Sequence, residues 1–192
     1  MLVGMSVDTP AFEALPAHLL PSGPYRICLV CLGNICRSPM AEAVLREELA
    51  RAGLAGAVTV DSAGTGDWHV GERMYGSAAA ELARRGYDGS GHRARQIERS
   101  WLGEYDLLLA MDAGNLADLR RMARGSQALG RVRLLRSFDP HLAAGDPFGG
   151  QVPDPYGGQP DEYARTFELI HAAARGLAQR LAEFLGAQPA GR

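Results

Sequence analysis

The chain has 192 residues, with 20 basic against 22 acidic side chains and a net charge of −2. That length suits one domain with a sizeable core, and an even charge balance without a long basic run gives no footprint for nucleic acid. No stretch reaches the ~18 consecutive apolar residues of a membrane span. Residues 1–24 hold no lysine or arginine and no small-residue cleavage signature, which is a poor fit to a signal peptide. They read as a disordered extension ending at the breakers Pro21 and Pro24, with Met5 as a second candidate start. "RICLVC" (26–31) is a short apolar run and reads as a buried strand. "SPMAEAVLREELARAG" (38–53) reads as a helix, with Ser38 as cap, Pro39 as first helical residue and Gly53 at the exit. "AVTVDSAG" (57–64) is a second strand and "SAAAELARRG" (77–86) a second helix. "YDLLLAMD" (105–112) is a third strand, "GNLADLRRMA" (114–123) a third helix and "VRLLRS" (132–137) a fourth strand. A Pro/Gly/Asp-rich loop runs from Phe138 to about Pro160, too long to be a mere connector. "DEYARTFELIHAAARGLAQRLAEFL" (161–185) is a last amphipathic helix with Gly176 as a weak point, and 188–192 read as a flexible tail after a domain spanning 25–187. Strands alternating with helices predict an α/β fold, a parallel sheet with helices on both faces.

The chemistry gathers in "VCLGNICRS" (30–38). Cys28, Cys31 and Cys36 are an odd number and crowd together, which argues against a disulfide scaffold and for a reducing cytoplasm. They read C-x2-C-x4-C with no fourth ligand in the segment, and the next histidine after it, His69, is far along the chain. Cys28 and Cys31 stand three apart on one strand, so their side chains leave opposite faces and one zinc cannot easily take both. Cys28 reads as a small buried hydrophobe. Packing alone would account for buried cysteines but leaves Arg37 without a role. An anion accounts for it: the order is strand, tight loop, helix N-terminus, where loop amides and the helix dipole favour negative charge. C-x5-R from Cys31 to Arg37 is the spacing of a loop wrapping one tetrahedral anion, and a guanidinium can grip two phosphate oxygens at once. The same field stabilises a thiolate, so the loop would arm Cys31 as a nucleophile. The Gly-Lys-Ser/Thr of a nucleotide loop is absent, which argues against ATP.

"VCLGNICRSPMAEAV" (30–44) resembles the signature of bacterial low-molecular-weight protein tyrosine phosphatases. "VDSAGTGDWHVG" (60–71), "GHRARQI" (91–97), "AMDAGN" (110–115) and "VPDPYGG" (152–158) are similar to the same family, in its order, over roughly residues 25–185. The resemblance implies a four-stranded parallel sheet flanked by helices, an N-terminal phosphate-binding loop, a phosphocysteine intermediate, and neither metal nor cofactor. It implies Cys31 as nucleophile, Arg37 as phosphate clamp and Asp154 as general acid. Leu32, Gly33, Asn34, Ile35, Cys36 and Ser38 are then the loop around the phosphoryl group, and Trp68 and Tyr156 the walls that sandwich the substrate ring. Ser62, His92, Asp112 and Asn115 match positions that hold the loop from behind.

Some of these residues keep a plainer alternative. Ser38 can donate to the thiolate or cap the helix, Trp68 can be a core residue, and Cys36 can be packing or a reversible disulfide partner of Cys31. Asp139-Pro140 and Asp146-Pro147 compete with Asp154-Pro155 in the same loop and read as ordinary turns. Pro155 holds Asp154 to extended backbone, which helps aim its carboxyl. Two departures stand out: "ERMYGSA" (72–78) replaces the family's Pro-Asp-x-Arg-Ala type run, and Tyr156 is a single aromatic where many relatives have two. The expected substrate is a tyrosine-phosphorylated protein, with no nucleic acid or membrane partner, and the expected state a cytoplasmic monomer. Arsenate reductase of the same fold is the rival reading, disfavoured because no cysteine follows Cys36. Phosphoarginine phosphatase is a second, disfavoured because apolar Ile35 stands where that subfamily carries threonine. A phosphoprotein-binding module is a third, and would need neither nucleophile nor acid.

Overall fold

The computed structural model describes residues 14–17, 19 and 22–186. Four strands, β1 (Tyr25–Cys31), β2 (Val58–Gly64), β3 (Leu107–Ala110) and β4 (Val132–Leu134), form one sheet in the order β2-β1-β3-β4. Every neighbouring pair is parallel, as the alternation of strands and helices predicts. The helices are α1 (Arg37–Arg51), α2 (Gly76–Arg84), α3 (Ala113–Met122) and α4 (Pro160–Gly186). Among the described residues no helix is long and apolar enough to cross a membrane.

The two-residue period of β1 divides two cores. Ile27, Leu29 and Cys31 join the larger one, with Met40, Val44 and Leu45 of α1, Leu82 of α2 and Phe167, Ile170 and Leu177 of α4. Cys28 and Val30 join the smaller one, with Leu119 of α3, Leu102 and Val132. Both faces are covered, which is why β1 and β3 read as continuous apolar runs. The opposed faces of Cys28 and Cys31 also keep the C-x2-C-x4-C set from converging.

Three expected boundaries move. The fourth strand stops at Leu134, and Leu135–Phe138 turns into a 3-10 helix that swings Arg136 inward. The third strand is likewise shorter than its apolar run. Helix α1 begins at Arg37, not Pro39, and no side chain caps it. Ser38 is therefore not the cap; its hydroxyl serves another partner. Nor is Gly176 a weak point. A Cβ there would stand 1.9 Å from the Phe138 carbonyl oxygen, so α4 needs a glycine to lie against the start of the long loop.

Most of the extension expected to be disordered, and the tail at 188–192, lie outside the described residues. Of those that are described, Leu15 packs against the larger core and the Pro16 carbonyl accepts from Tyr25 Oη at 3.1 Å. The Leu19 amide donates to Asp106.

Candidate active site

The loop between β1 and α1 closes over its own sulfur. Cys31, buried at the end of β1, receives the Asn34 amide at 3.2 Å and lies 3.0 Å from Ser38 Oγ. The amide donates to the sulfur, while between sulfur and hydroxyl either can be the donor. Asn34 takes the left-handed backbone, φ 54°, that lets so tight a loop turn back. Its side chain is fully buried and fully used: Nδ2 donates to Ser38 Oγ and to Ser62 Oγ, both at 2.9 Å, and Oδ1 accepts from the Arg95 amide at 2.9 Å. Ser62 passes the chain on to Glu42 Oε2 at 2.5 Å. His92 Nε2 lies 2.6 Å from the Asn34 carbonyl, and burial lowers the imidazole's pKa. A carbonyl only accepts, so the neutral ring carries its proton on Nε2.

Strand β2 presses against the loop from the side. The amides of Thr65 and Gly66 donate to the Cys31 and Leu32 carbonyls, each at 2.9 Å. A Cβ on Gly64 would meet the Leu32 carbonyl oxygen at 2.6 Å, so this approach requires glycine.

Arg37, the first residue of α1, is buried and holds three acceptors. Nη1 donates to Asp112 at 2.6 Å and to the Val152 carbonyl at 3.2 Å, and Nη2 donates to Asp154 at 2.6 Å. Burial opposes the guanidinium charge, yet Cys31, Asp154 and Asp112 more than offset it and the pKa stands above the ordinary value. Asp112 is itself fixed as the cap of α3, accepting from the Asn115 amide at 2.7 Å. With its amide turned nitrogen-inward, the Asn115 side chain also donates to both Asp112 oxygens at 3.1 Å.

A cleft of about 240 Å³ opens over these groups. Cys31, Leu32, Gly33, Ile35, Cys36, Arg37 and Asp154 all line it. Trp68 and Tyr156 stand 66% and 56% exposed on its walls, so Trp68 is not a core residue. Of the sequence-predicted loop and wall residues, Leu32, Gly33, Ile35, Cys36, Trp68 and Tyr156 thus gather on one cleft, whereas Asn34 is fully buried and, like Ser38, Ser62, His92, Asp112 and Asn115, does not line it.

Five further residues shape the site. Glu42 and Arg95 anchor the buried chain to Asn34. Arg95 lies in the quoted "GHRARQI" and Glu42 in the quoted "VCLGNICRSPMAEAV", where neither stands out as a site residue. His69 lines the cleft with Nδ1 2.8 Å from Glu72 Oε2. Tyr75, from the divergent "ERMYGSA", packs its ring 5.0 Å from that of Tyr156, and so backs that wall of the cleft. Arg136 is the fifth. Its side chain is 3% exposed and grips both Asp139 and Asp146, so those Asp-Pro pairs form turns as expected and their carboxylates also hold an arginine.

Comparison with known proteins agrees with this geometry. The family model described as low molecular weight phosphotyrosine protein phosphatase matches residues 26–185. A low molecular weight protein-tyrosine-phosphatase of Streptomyces coelicolor is 51% identical over 153 residues, 80% of this chain and 91% of that protein. Low molecular weight protein-tyrosine phosphatase A of Mycobacterium tuberculosis is 43% identical over 156 residues, 81% of this chain and 91% of that one. Among solved structures, YfkJ from Bacillus subtilis superposes with a TM-score of 0.76 at 33% identity, covering 87% of this chain and 99% of that one. A tight loop between β1 and α1, a buried arginine and an aromatic-walled cleft thus sit on a matching fold, and the chain belongs to the low molecular weight phosphotyrosine protein phosphatase family.

Proposed function

We propose that Cys31, Arg37 and Asp154 carry the two-step hydrolysis of phosphotyrosine in this protein tyrosine phosphatase. The observation behind it is that a sulfur met by an amide and a hydroxyl, a buried guanidinium and a carboxyl share one cleft. The Cys31 thiolate attacks phosphorus; the S–P bond forms as the bond to the tyrosyl oxygen breaks, and Asp154 gives that oxygen its proton. Loop amides and Arg37 hold the equatorial oxygens where charge develops. Water then adds to phosphorus and passes a proton to Asp154. The S–P bond breaks, inorganic phosphate leaves and the thiolate is restored. Arg37 is paired with Asp154 itself. An entering phosphoryl group takes over that nitrogen and leaves the carboxyl free to serve the leaving group.

The ring of the substrate lies between Trp68 and Tyr156, over apolar Ile35, so a phosphotyrosine peptide is cleaved in preference to phosphoserine or phosphoarginine peptides. The partner is a tyrosine-phosphorylated protein, and the enzyme works as a cytoplasmic monomer, in keeping with three unpaired cysteines. The deciding experiment is Cys31→Ser: turnover disappears while inorganic phosphate still binds, because the loop amides and Arg37 remain. Retained turnover would overturn the cysteine mechanism. Equal or better cleavage of phosphoarginine would overturn the substrate assignment.

Cys36 borders the same cleft, and burial pushes its thiol up to about 12. It therefore meets oxidation as a thiol. Peroxide converts the Cys31 thiolate to a sulfenic acid; the Cys36 sulfur then displaces water from it, forming a disulfide. After mild peroxide, dithiothreitol should restore the parent enzyme more completely than Cys36→Ser. Equal recovery would leave Cys36 as a packing residue.

A further inference from the structure

Between Asp139 and Gln159 the chain forms neither helix nor strand, yet it carries Asp154. A carboxyl that must meet a leaving oxygen needs a fixed backbone beneath it. Here one side chain ties that backbone at three points. Arg136 donates to Asp139 Oδ2 from Nε at 3.4 Å and from Nη2 at 3.2 Å. It donates to Asp146 from Nη1 and Nη2, both at 2.9 Å, and from Nη1 to the Gln151 carbonyl at 3.1 Å. Three separated points of the loop thus meet on one guanidinium.

From Gln151 the path to the acid is short. Gln151 Oε1 accepts the Ala113 amide at 2.8 Å, and the Val152 amide donates to the Met111 carbonyl at 2.8 Å. The Val152 carbonyl accepts from Arg37 Nη1, next to the Nη2 that binds Asp154. On the other side Asp146 also accepts the Phe148 and Gly150 amides, at 3.1 and 2.9 Å, so it curls the loop around itself. A buried ion pair is a poor device for stability alone, since apolar residues of similar volume often serve a corner as well or better. What the fork adds is fixed direction at three points.

We propose that Arg136, with Asp139 and Asp146, is a positioning residue for the general acid: the knot sets where Asp154 stands over the cleft. This rests on the assignment of Asp154 as the acid. Arg136 does not touch substrate; it acts through Gln151 and Val152.

The test compares a basic leaving group, phosphotyrosine, with an activated one, p-nitrophenyl phosphate. The variants are Asp146→Asn, Arg136→Lys, Asp154→Asn and the double variant Asp146→Asn/Asp154→Asn. A misplaced acid costs most where the leaving oxygen most needs its proton. Asp146→Asn should lower kcat on phosphotyrosine about tenfold, and on p-nitrophenyl phosphate less than about twofold, with KM unchanged. Added to Asp154→Asn it should cost nothing more, because it acts through a group already removed. Arg136→Lys keeps the charge but loses the fork, and should show the same signature; it decides the matter if Asp146→Asn does not fold. Equal losses on both substrates, a lowered Tm alone, or a further loss in the double variant would each make the knot purely structural and overturn the proposal. If Asp154→Asn itself shows no leaving-group-dependent loss, the acid assignment falls, and the proposal with it. If Asp154→Asn shows that loss and Asp146→Asn does not, only the role of the knot falls.

Discussion

Residues 32–36 and residues 139–159 flank one cleft, and they are held there by different means. The phosphate loop lies between a strand and a helix and is bound by backbone amides, a left-handed Asn34 and a buried polar chain reaching Glu42. The acid loop has no regular structure; the guanidinium of Arg136 ties it at three points, and Gln151 and Val152 bond to the start of α3 and just past the end of β3. A phosphate site must present several donors to one point at once, which a short loop at a helix start does from its own backbone. An acid must only bring one carboxyl to the right place, which a longer, side-chain-anchored loop can do. The two loops should therefore fail differently when damaged.

The largest difference should appear at Asp154. A general acid contributes about 10²–10⁴-fold, most of it for poor leaving groups. Asp154→Ala should lower kcat steeply on phosphotyrosine and much less on p-nitrophenyl phosphate, with KM little changed. Steady-state kinetics on the two substrates measure this, and parallel losses would place the acid elsewhere.

Asn34→Ala damages the other loop. Alanine at φ 54° costs about 1–2 kcal/mol, and the bonds to Ser38, Ser62 and Arg95 go with the side chain. The nucleophile and phosphate site should both shift, at a cost of about 10²-fold in kcat. This loss should be equal on both substrates, since neither chemical step escapes a misplaced sulfur. A leaving-group-dependent loss here would erase the distinction between the loops.

The same distinction governs what could be read from sequence. The phosphate loop was legible because its parts are neighbours: Cys31, Asn34, Arg37 and Ser38 fall within eight residues, and their spacing already implies a strand, a turn and a helix. Trp68 and Asp154 were legible only through the motifs around them. The anchor of the acid loop was not legible, because what links Arg136 to Asp146 and Gln151 is a fold in space and not a period in the chain. Asp146-Pro147 looks like a turn and is one, yet its carboxylate also serves an arginine ten residues back. Gly176 misleads in the same way: its cost to the helix is visible locally, while the Phe138 carbonyl that demands it is 38 positions away. Ser38 was read both ways, and the sulfur won over the helix end because the loop brings it to 3.0 Å.

Acid should loosen the two loops unequally. Arg136 first, and then the Gly150 amide, hold the Asp146 carboxyl down from the ordinary 3.8 to about 2. A carboxyl depressed by folding contributes stability that is complete above its unfolded pKa and is lost as pH falls through its folded one. The contribution of Asp146 should thus be intact above about pH 4 and gone below about pH 2. Urea unfolding of the parent protein across that window should show a slope that Asp146→Asn flattens. Identical slopes would mean that Arg136 does not hold Asp146 in solution.

The smallest effect expected is at Tyr75, which touches both loops. Its amide donates to the Ile35 carbonyl of the phosphate loop at 2.8 Å. Its ring lies 5.0 Å from Tyr156 of the acid loop and 6.3 Å from buried Tyr163 of α4, the latter nearly parallel at 16°. Three rings thus run from the core to the cleft wall, and Tyr75 is the middle one. An aromatic pair contributes about 0.5–1.5 kcal/mol beyond its buried area. Tyr75→Ala removes the ring and keeps the amide, so the wall should loosen while the phosphate loop stays in place. KM for phosphotyrosine should rise about 2–10-fold, the kinetic equivalent of that energy. Inhibition by inorganic phosphate, which needs the loop but no wall, should not change. If phosphate inhibition weakens in step with KM, Tyr75 acts through Ile35 on the phosphate loop, and the ring stack does not support the wall.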